Sequence, residues 1–326
     1  MKAAIIGTGL IATQMARTLA ALDEVESYAV ASRSLDKAQA FADQWGFGRA
    51  YGSYDALLAD EAVELVYIAL PHSHHHRWTM KALGAGKHVL CEKPLAVNAK
   101  QAKEMIDLAE AKKLLLAEAM WTRYMPAAQI ITDLVASGEI GEVMSIGANV
   151  GDCNYQNERL TNPALAGGCL LDLTVYALNF SALIMGRKVK KINASMIPTL
   201  TGVDGQDNIM LEYDGGKMAS LMATIYTVTD RNGFIYGRNG FIQVHDIFNP
   251  EKIRLCGIRG YKHFVKREIT PPPQITGYEY EVLACRKAIS EGRTECQAMP
   301  HAETLAIIKQ MDEIRQKFGL VYPFER

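Results

Sequence analysis

Ala3-Ala4-Ile5-Ile6-Gly7-Thr8-Gly9-Leu10-Ile11-Ala12 decides the first half of the fold. Ala3–Ile6 is short and wholly apolar, which suits a strand buried on both faces. Thr13–Leu22 then carries Met15, Ala16, Leu19 and Leu22 at helical spacing. The glycines between them have the G-x-G-x-x-A form of a dinucleotide-binding turn, with a strand before and a helix after. Gly7 permits the tight turn, Gly9 lets the backbone approach a pyrophosphate, and Ala12 is small enough for close helix–strand packing. The helix start, with Thr8, Leu10 and Ile11 around it, offers free N–H groups and partial positive charge to phosphates.

The next strand, Ser27–Ala31, ends at Ser32-Arg33-Ser34. A site for NAD places Asp or Glu there to hold the ribose 2′-hydroxyl. Asp23, Glu24 and Glu26 come too early, and Asp36 falls inside the following helix. A hydroxyl at Ser32 and a guanidinium at Arg33 suit a 2′-phosphate, because arginine makes forked, charge-assisted bonds to phosphate oxygens. The expected cofactor is therefore NADP, with NAD second. The bland alternative is a Ser34 helix cap beside a solvated Arg33.

Glu64–Leu70 is a third strand, closed by Pro71, and His72-Ser73-His74-His75-His76 follows. Four bunched histidines with no separated carboxylate or cysteine do not make a metal site. Ser73 is expected to cap the next helix, taken as Arg77–Ala85, with most of the histidines in solvent and His72 and His75 lining a pocket at the sheet edge. Next comes His88-Val89-Leu90-Cys91-Glu92-Lys93-Pro94. A buried strand that emerges into a charged turn delivers its last side chains to the sheet edge, where ligands bind in open α/β folds. Pro94 lacks an N–H and fixes φ, which stops the strand and holds Lys93 at the turn. Asn98 caps a helix to about Lys112, and Leu114–Ala117 is the next strand. This alternation predicts a doubly wound parallel sheet. The chain leaves it at Glu118–Pro126, so the domains are expected at 1–121 and 122–326.

Beyond the boundary, after a helix at Pro126–Ser137, the pattern turns β-rich: Val143–Val150, Val189–Met196, Asn208–Tyr213, Met218–Tyr226, Gly240–Asp246, Lys252–Leu255 and His263–Ile269. Such runs predict a large open, mainly antiparallel sheet in an α+β domain. Helices at Tyr278–Glu291 and His301–Phe318 close the chain. Before the main run of strands lies Gly167-Gly168-Cys169-Leu170-Leu171-Asp172-Leu173-Thr174-Val175-Tyr176. Asp172 and Tyr176 are four apart and would share one helical face. They suit either catalysis or a buried hydrogen bond that holds the helix.

Composition sets bounds. A chain of 326 residues favours two domains. A net charge of −1 gives no electrostatic case for nucleic acid or an anionic membrane. No apolar run approaches the roughly 20 residues needed to span a bilayer, and the N-terminus does not read as a signal peptide. The 6 cysteines form no metal-like spacing and are expected as reduced thiols in a cytoplasmic protein.

With these residues in view, the chain resembles the glucose–fructose oxidoreductase/inositol dehydrogenase (Gfo/Idh/MocA) family, closest to its branch of dimeric dihydrodiol dehydrogenases and related NADP-dependent sugar dehydrogenases. The marks are the glycine turn, Cys91-Glu92-Lys93-Pro94, Glu118-Ala119-Met120-Trp121-Thr122-Arg123, the helix from Gly167 to Tyr176, and Gly319-Leu320-Val321-Tyr322-Pro323. The resemblance implies a Rossmann domain followed by a substrate and dimerisation domain, and hydride exchange with a small sugar, polyol or trans-dihydrodiol. It implies Lys93 and Tyr176 as the catalytic pair, with Asp172 beside them, and Trp121 and Arg123 along the substrate and cofactor pocket. Leu70, His72, His75 and Glu92 join the cofactor side. Two other readings are an enzyme that retains NAD for glycoside cleavage and a non-enzymatic NADP sensor.

Overall fold

The computed structural model describes residues 1–325. In chain order it begins β1 (Lys2–Ile6), α1 (Leu10–Leu19), β2 (Glu26–Ala31), α2 (Leu35–Trp45), β3 (Arg49–Tyr51), α3 (Tyr54–Leu58), β4 (Leu65–Ile68), α4 (His72–Gly84), β5 (His88–Glu92), α5 (Ala99–Lys112) and β6 (Leu116–Ala119). It continues with α6 (Pro126–Ala136), β7 (Val143–Gly151), α7 (Glu158–Thr161), a π turn (Leu170–Thr174) that runs into α8 (Val175–Met185), β8 (Lys191–Pro198), β9 (Asp204–Tyr213) and β10 (Lys217–Thr224). Then come β11 (Gly233–Gly237), β12 (Gly240–His245), β13 (Lys252–Arg259), β14 (Lys262–Ile269), α9 (Glu279–Ser290) and α10 (His301–Phe318).

Among the described residues the first sheet has six strands, ordered β3-β2-β1-β4-β5-β6, and every pair in it is parallel. Ile5, Ile6, Val30, Val66, Ile68, Val89 and Leu90 are wholly buried, as a sheet covered on both faces requires. Each such side chain contributes about 1.5–3 kcal/mol. The strand order reverses between β1 and β4, which puts the ligand crevice of a doubly wound sheet at their carboxyl ends.

The chain divides into two compact units, Met1–Tyr124 with Gln274–Leu305, and Met125–Pro273 with Ala306 onward. The break expected after residue 121 thus falls at Tyr124, and a segment expected in the second domain clusters with the first. The returning segment completes the edge strand. Leu116 donates its N–H to the Thr294 carbonyl at 3.0 Å, and His301 Nε2 meets the Leu116 carbonyl at 2.9 Å. Val282, Cys285 and Ala288 of α9 are buried, and α9 packs against β5.

In the second unit the described strands form an eight-stranded sheet, β14-β13-β12-β11-β7-β10-β9-β8. Its pairs are antiparallel except β7–β10, which is parallel. A parallel neighbour needs a long crossover, and the chain supplies it through α7, the π turn, α8, β8 and β9. Strand β11 was absent from the sequence reading; glycines at both its ends weaken the strand signal. One of them is required by close packing, since a Cβ on Gly233 would lie 2.6 Å from both Ile247 and Phe180. Pro163–Met185 is long and apolar enough to cross a membrane, which corrects the expectation that no run approaches that length. Of its most apolar window 83% is buried inside the fold, so it is a core helix.

Candidate active site

In the first unit the loops that leave β1, β2, β4, β5 and β6 all open at the carboxyl edge of the sheet. After β1, Gly7 has φ +114° and a Cβ there would strike the Ala69 carbonyl oxygen, so only glycine fits. Gly9 caps α1 with no side-chain hydrogen bond, and a Cβ on it would find nothing within 4 Å. The first N–H groups of α1 are thus left to a ligand, and the space over Gly9 admits a pyrophosphate. Thr8 and Ile11 flank this turn, and Leu10 stands 88% exposed at its rim. The residues fit a dinucleotide.

After β2, Ser32 is buried and Arg33 exposed. Asp36 lies in the first turn of α2, whose cap is Ser34, accepting from Lys37 N. Ser34 is thus a helix cap beside an exposed Arg33, and no carboxylate stands at the strand end. Arg33 sits near two titratable groups. Burial lowers the His74 pKa, and the charges of Arg33 and Arg77 lower it further. Burial raises that of Tyr54, while Arg33 pulls it back.

After β4 the structure corrects the sequence reading. The helix starts at His72, with Pro71 as its cap, because Pro71 has the fixed φ that suits a helix entry. Ser73 lies inside the helix and pairs with His74 Nδ1 at 2.9 Å. His72 and His75 are buried, ring against ring at 5.7 Å, while His74 and His76, expected in solvent, are only half-exposed, and His76 meets Glu104 at 2.8 Å. His75 holds two loops together, with Nδ1 2.8 Å from the Pro94 carbonyl and Nε2 2.8 Å from that of Leu70. Two carbonyl partners favour the charged ring, but burial outweighs them and lowers its pKa to about 4. A neutral imidazole has one N–H, so at neutral pH His75 donates to one carbonyl and packs against the other.

After β5, Tyr67 donates its hydroxyl to Glu92 Oε1, and Glu92 Oε2 accepts the Lys93 N–H at 3.2 Å. Burial, then the charges of Glu92 and Glu281, hold the Tyr67 pKa well above its ordinary value. The Lys93–Pro94 peptide is cis, and Leu95 N is held by Glu118 Oε1 at 3.0 Å. Thr304 donates to the other oxygen of Glu118 at 2.7 Å. Burial raises the Glu118 pKa; the two hydrogen bonds and the charges of Arg123 and Lys93 work against it. Lys93 thus stands on a turn fixed from both sides. Trp121–Arg123 forms a 3₁₀ turn after β6, where Trp121 stacks on Tyr278 at 4.7 Å and 14°. Arg123 lies 3.8 Å from Glu303, and its burial lowers its pKa.

The second unit holds Asp172 and Tyr176. Asp172 lies in the π turn and Tyr176 in the first turn of α8. The π turn, which closes its hydrogen bonds over five residues, runs directly into α8. Asp172 takes a forked pair from Arg159, at 2.8 Å to Oδ1 and 3.3 Å to Oδ2, which is the strong geometry for a guanidinium and a carboxylate. The Tyr176 ring packs on Phe248 at 4.1 Å, with the Arg231 guanidinium over the far aromatic at 5.5 Å. Sequence reasoning gave no role to Arg159, Phe248 or Tyr278. Each lies in or beside irregular backbone, where no periodicity marks it.

Residues 1–120 match the family described as "Oxidoreductase family, NAD-binding Rossmann fold", and residues 128–243 match the GFO/IDH/MocA C-terminal domain. The chain belongs to the GFO/IDH/MocA oxidoreductase family. It is 32% identical to trans-1,2-dihydrobenzene-1,2-diol dehydrogenase of Mus musculus, across 99% of this chain and 98% of that one. The dehydrogenase of the same name from Danio rerio is 33% identical, across 94% and 92%. Among solved structures, KijD10, a 3-ketoreductase from Actinomadura kijaniata in complex with NADP and TDP-benzene, superposes with a TM-score of 0.88 at 25% identity, covering 97% of each chain. That enzyme has also been solved with a lysine changed to alanine and with a tyrosine changed to phenylalanine. Levoglucosan dehydrogenase, in complex with NADH and levoglucosan, shares the fold with a TM-score of 0.87 at 19% identity. The present chain is accordingly an oxidoreductase of the dehydrogenase and ketoreductase type, built on a nucleotide-binding Rossmann unit.

Proposed function

We propose that this cytoplasmic enzyme is NADP-dependent and exchanges hydride with a secondary alcohol or carbonyl of a small sugar, polyol or trans-dihydrodiol. What carries the reading is the carboxyl edge of the first sheet, which presents an open glycine turn, a strand end with Ser32 and Arg33 and no carboxylate, and Lys93 on a braced turn. The dihydrodiol in the relatives' name and the 3-ketoreductase activity in the name of KijD10 support an alcohol or carbonyl substrate.

Bound nicotinamide supplies the acceptor or donor of hydride. Tyr176 takes the proton from the alcohol during oxidation and returns it to the carbonyl oxygen during reduction. A free phenol titrates near pKa 10, and the task assigned to Lys93 is to favour the phenolate by its charge. Asp172, fixed by Arg159, orients the acid–base group, while Trp121 and Tyr278 form an aromatic wall against the substrate.

A screen of sugars, polyols and trans-dihydrodiols, read by NADPH absorbance with NADH in parallel, tests both parts. Turnover with release of NADPH supports the reading. A clear preference for NAD overturns the NADP assignment, and cofactor binding without turnover on any alcohol favours a sensor. Arg33→Ala is expected to weaken NADPH binding by about 10- to 100-fold, the worth of one charge-assisted hydrogen-bond site, and to leave NADH nearly unchanged.

The open face of the eight-stranded sheet is proposed to bind a second copy of the chain. Met210, Met218, Ile197 and Tyr236 are exposed on their strands, while Ile209, Leu211, Ala219 and Leu221 point into the core. Light scattering is expected to give twice the chain mass of 36.0 kDa, and Met210→Glu to shift the protein toward monomer.

A further inference from the structure

Asp204 and Asp207 lie three residues apart on β9, a spacing that puts side chains on opposite faces of a regular strand. Both are nevertheless wholly buried. The register explains it: Ile197 of β8 pairs with Gln206, but Pro198 pairs with Asp204, leaving Gly205 as an extra residue. A bulge of this kind re-aims a side chain, and here it turns both aspartates into the core. Each then grips one end of the π turn. Asp204 Oδ2 accepts the Leu170 N–H, and Asp207 Oδ2 accepts the Thr174 hydroxyl at 2.7 Å. Gly168, with φ +125°, lies so close that a Cβ would strike Asp204 Oδ1.

The remaining oxygens, Asp204 Oδ1 and Asp207 Oδ1, are buried with no hydrogen-bond partner while both groups are ionised. Two buried unpaired acceptors are costly, and one proton between them satisfies both. We propose that Asp204 and Asp207 share a single proton and serve as positioning residues, clamping the turn that presents Asp172 and Tyr176. The role in catalysis rests on Tyr176 as the acid–base group; the shared proton does not.

Burial agrees with this, raising the Asp204 pKa to about 6, and burial together with the charge of Asp204 holds the Asp207 pKa well above its ordinary value. The other groups that face the pair leave it short of positive charge. Arg315 of α10 lowers the Asp204 pKa, but its guanidinium is also held by Glu325 at 2.7 Å and Asp312 at 3.1 Å. The Cys169 thiol and the Tyr322 phenol are pushed well up and stay neutral, chiefly by burial. Tyr226 is raised, and feels the charge of Asp204. Asp172 is neutralised by Arg159.

A carboxyl whose folded pKa lies above its unfolded value stabilises fully below the unfolded value, and loses that contribution as pH rises through the folded one. Asp207→Asn keeps a donor toward Asp204 and an acceptor for Thr174 but cannot lose a proton. Its Tm advantage over wild type is therefore expected to widen by roughly 2–6 °C between about pH 5 and pH 9. Its kcat should stay within about threefold of wild type, whereas Asp207→Leu should lose about 10- to 100-fold in kcat with NADPH affinity unchanged, as expected for a misplaced acid–base group. If Asp207→Leu does not fold, Thr174→Val removes one grip alone and should still lower kcat by about threefold to tenfold. A Tm gap that is constant with pH overturns the shared proton. Equal kcat losses in the Asn and Leu variants, or full kcat in Thr174→Val, overturn the positioning role. Full turnover by Tyr176→Phe would end the acid–base assignment while leaving the pH-dependent Tm gap in place, so the two failures are distinguishable.

Discussion

Tyr176→Phe is expected to lower kcat by about 100- to 10,000-fold, the usual worth of a positioned general acid or base, with NADPH affinity unchanged. The substitution removes one hydroxyl and keeps the ring, so the contact with Phe248 at 4.1 Å survives. Tyr176 is buried within α8, and the π turn before it is anchored through Leu170 and Thr174, neither of which the substitution touches. Folding should therefore be preserved, and the loss should fall on the chemical step alone. The check is steady-state kinetics beside a cofactor titration. A variant that keeps more than about a tenth of wild-type kcat would remove Tyr176 from the proton transfer.

The features legible in the sequence were those with local causes. Ala3–Ala12 combined a strand period, two glycines with different steric duties and a helix period within ten residues, and the structure places β1, the turn and α1 there. Asn98 and Ser34 were legible as caps for the same reason, since a cap's oxygen bonds N–H groups two or three residues ahead. What the sequence hid was set by distant partners. The return of Gln274–Leu305 to the first unit depends on Thr294 pairing with Leu116, some 180 positions away. The parallel β7–β10 pair follows from the crossover between them, not from either strand's residues. The helix carrying Asp172 and Tyr176 was legible as a helix, but not its π turn, whose anchors stand on the bulged strand β9. Asp172 could be picked out by its apolar neighbours; Arg159, its partner, sits in the single-turn helix α7 within a polar stretch where one arginine looks like any other.

Lys93→Met should produce a loss of a different kind, and its pH dependence is what identifies the lysine's work. A cation close to a phenol lowers its pKa by about 1–3 units, so removing the charge should cost about 10- to 1000-fold in oxidation rate at neutral pH. Under the proposed pairing the missing charge acts through the proton equilibrium of Tyr176, so the deficit should shrink as pH rises toward the ordinary phenol value near 10. The deficit of Tyr176→Phe should instead widen with pH until the wild-type phenol is fully ionised, since phenylalanine has no proton to lose. Methionine keeps the unbranched stem. The turn should keep its shape as well, because its braces are the Glu118–Leu95, Thr304–Glu118 and His75–Pro94 bonds, none of which uses the ammonium. One side effect has a known sign. Lys93 lowers the pKa of buried Glu118 and, more weakly than burial does, that of His75, so its loss raises both. For His75, already pushed to about 4, a small rise leaves the ring neutral across the assay range. Profiles of log kcat against pH for wild type and both variants separate the cases. A Lys93→Met deficit that does not narrow between about pH 7 and pH 10 would show that the ammonium acts by holding substrate or cofactor rather than by tuning Tyr176.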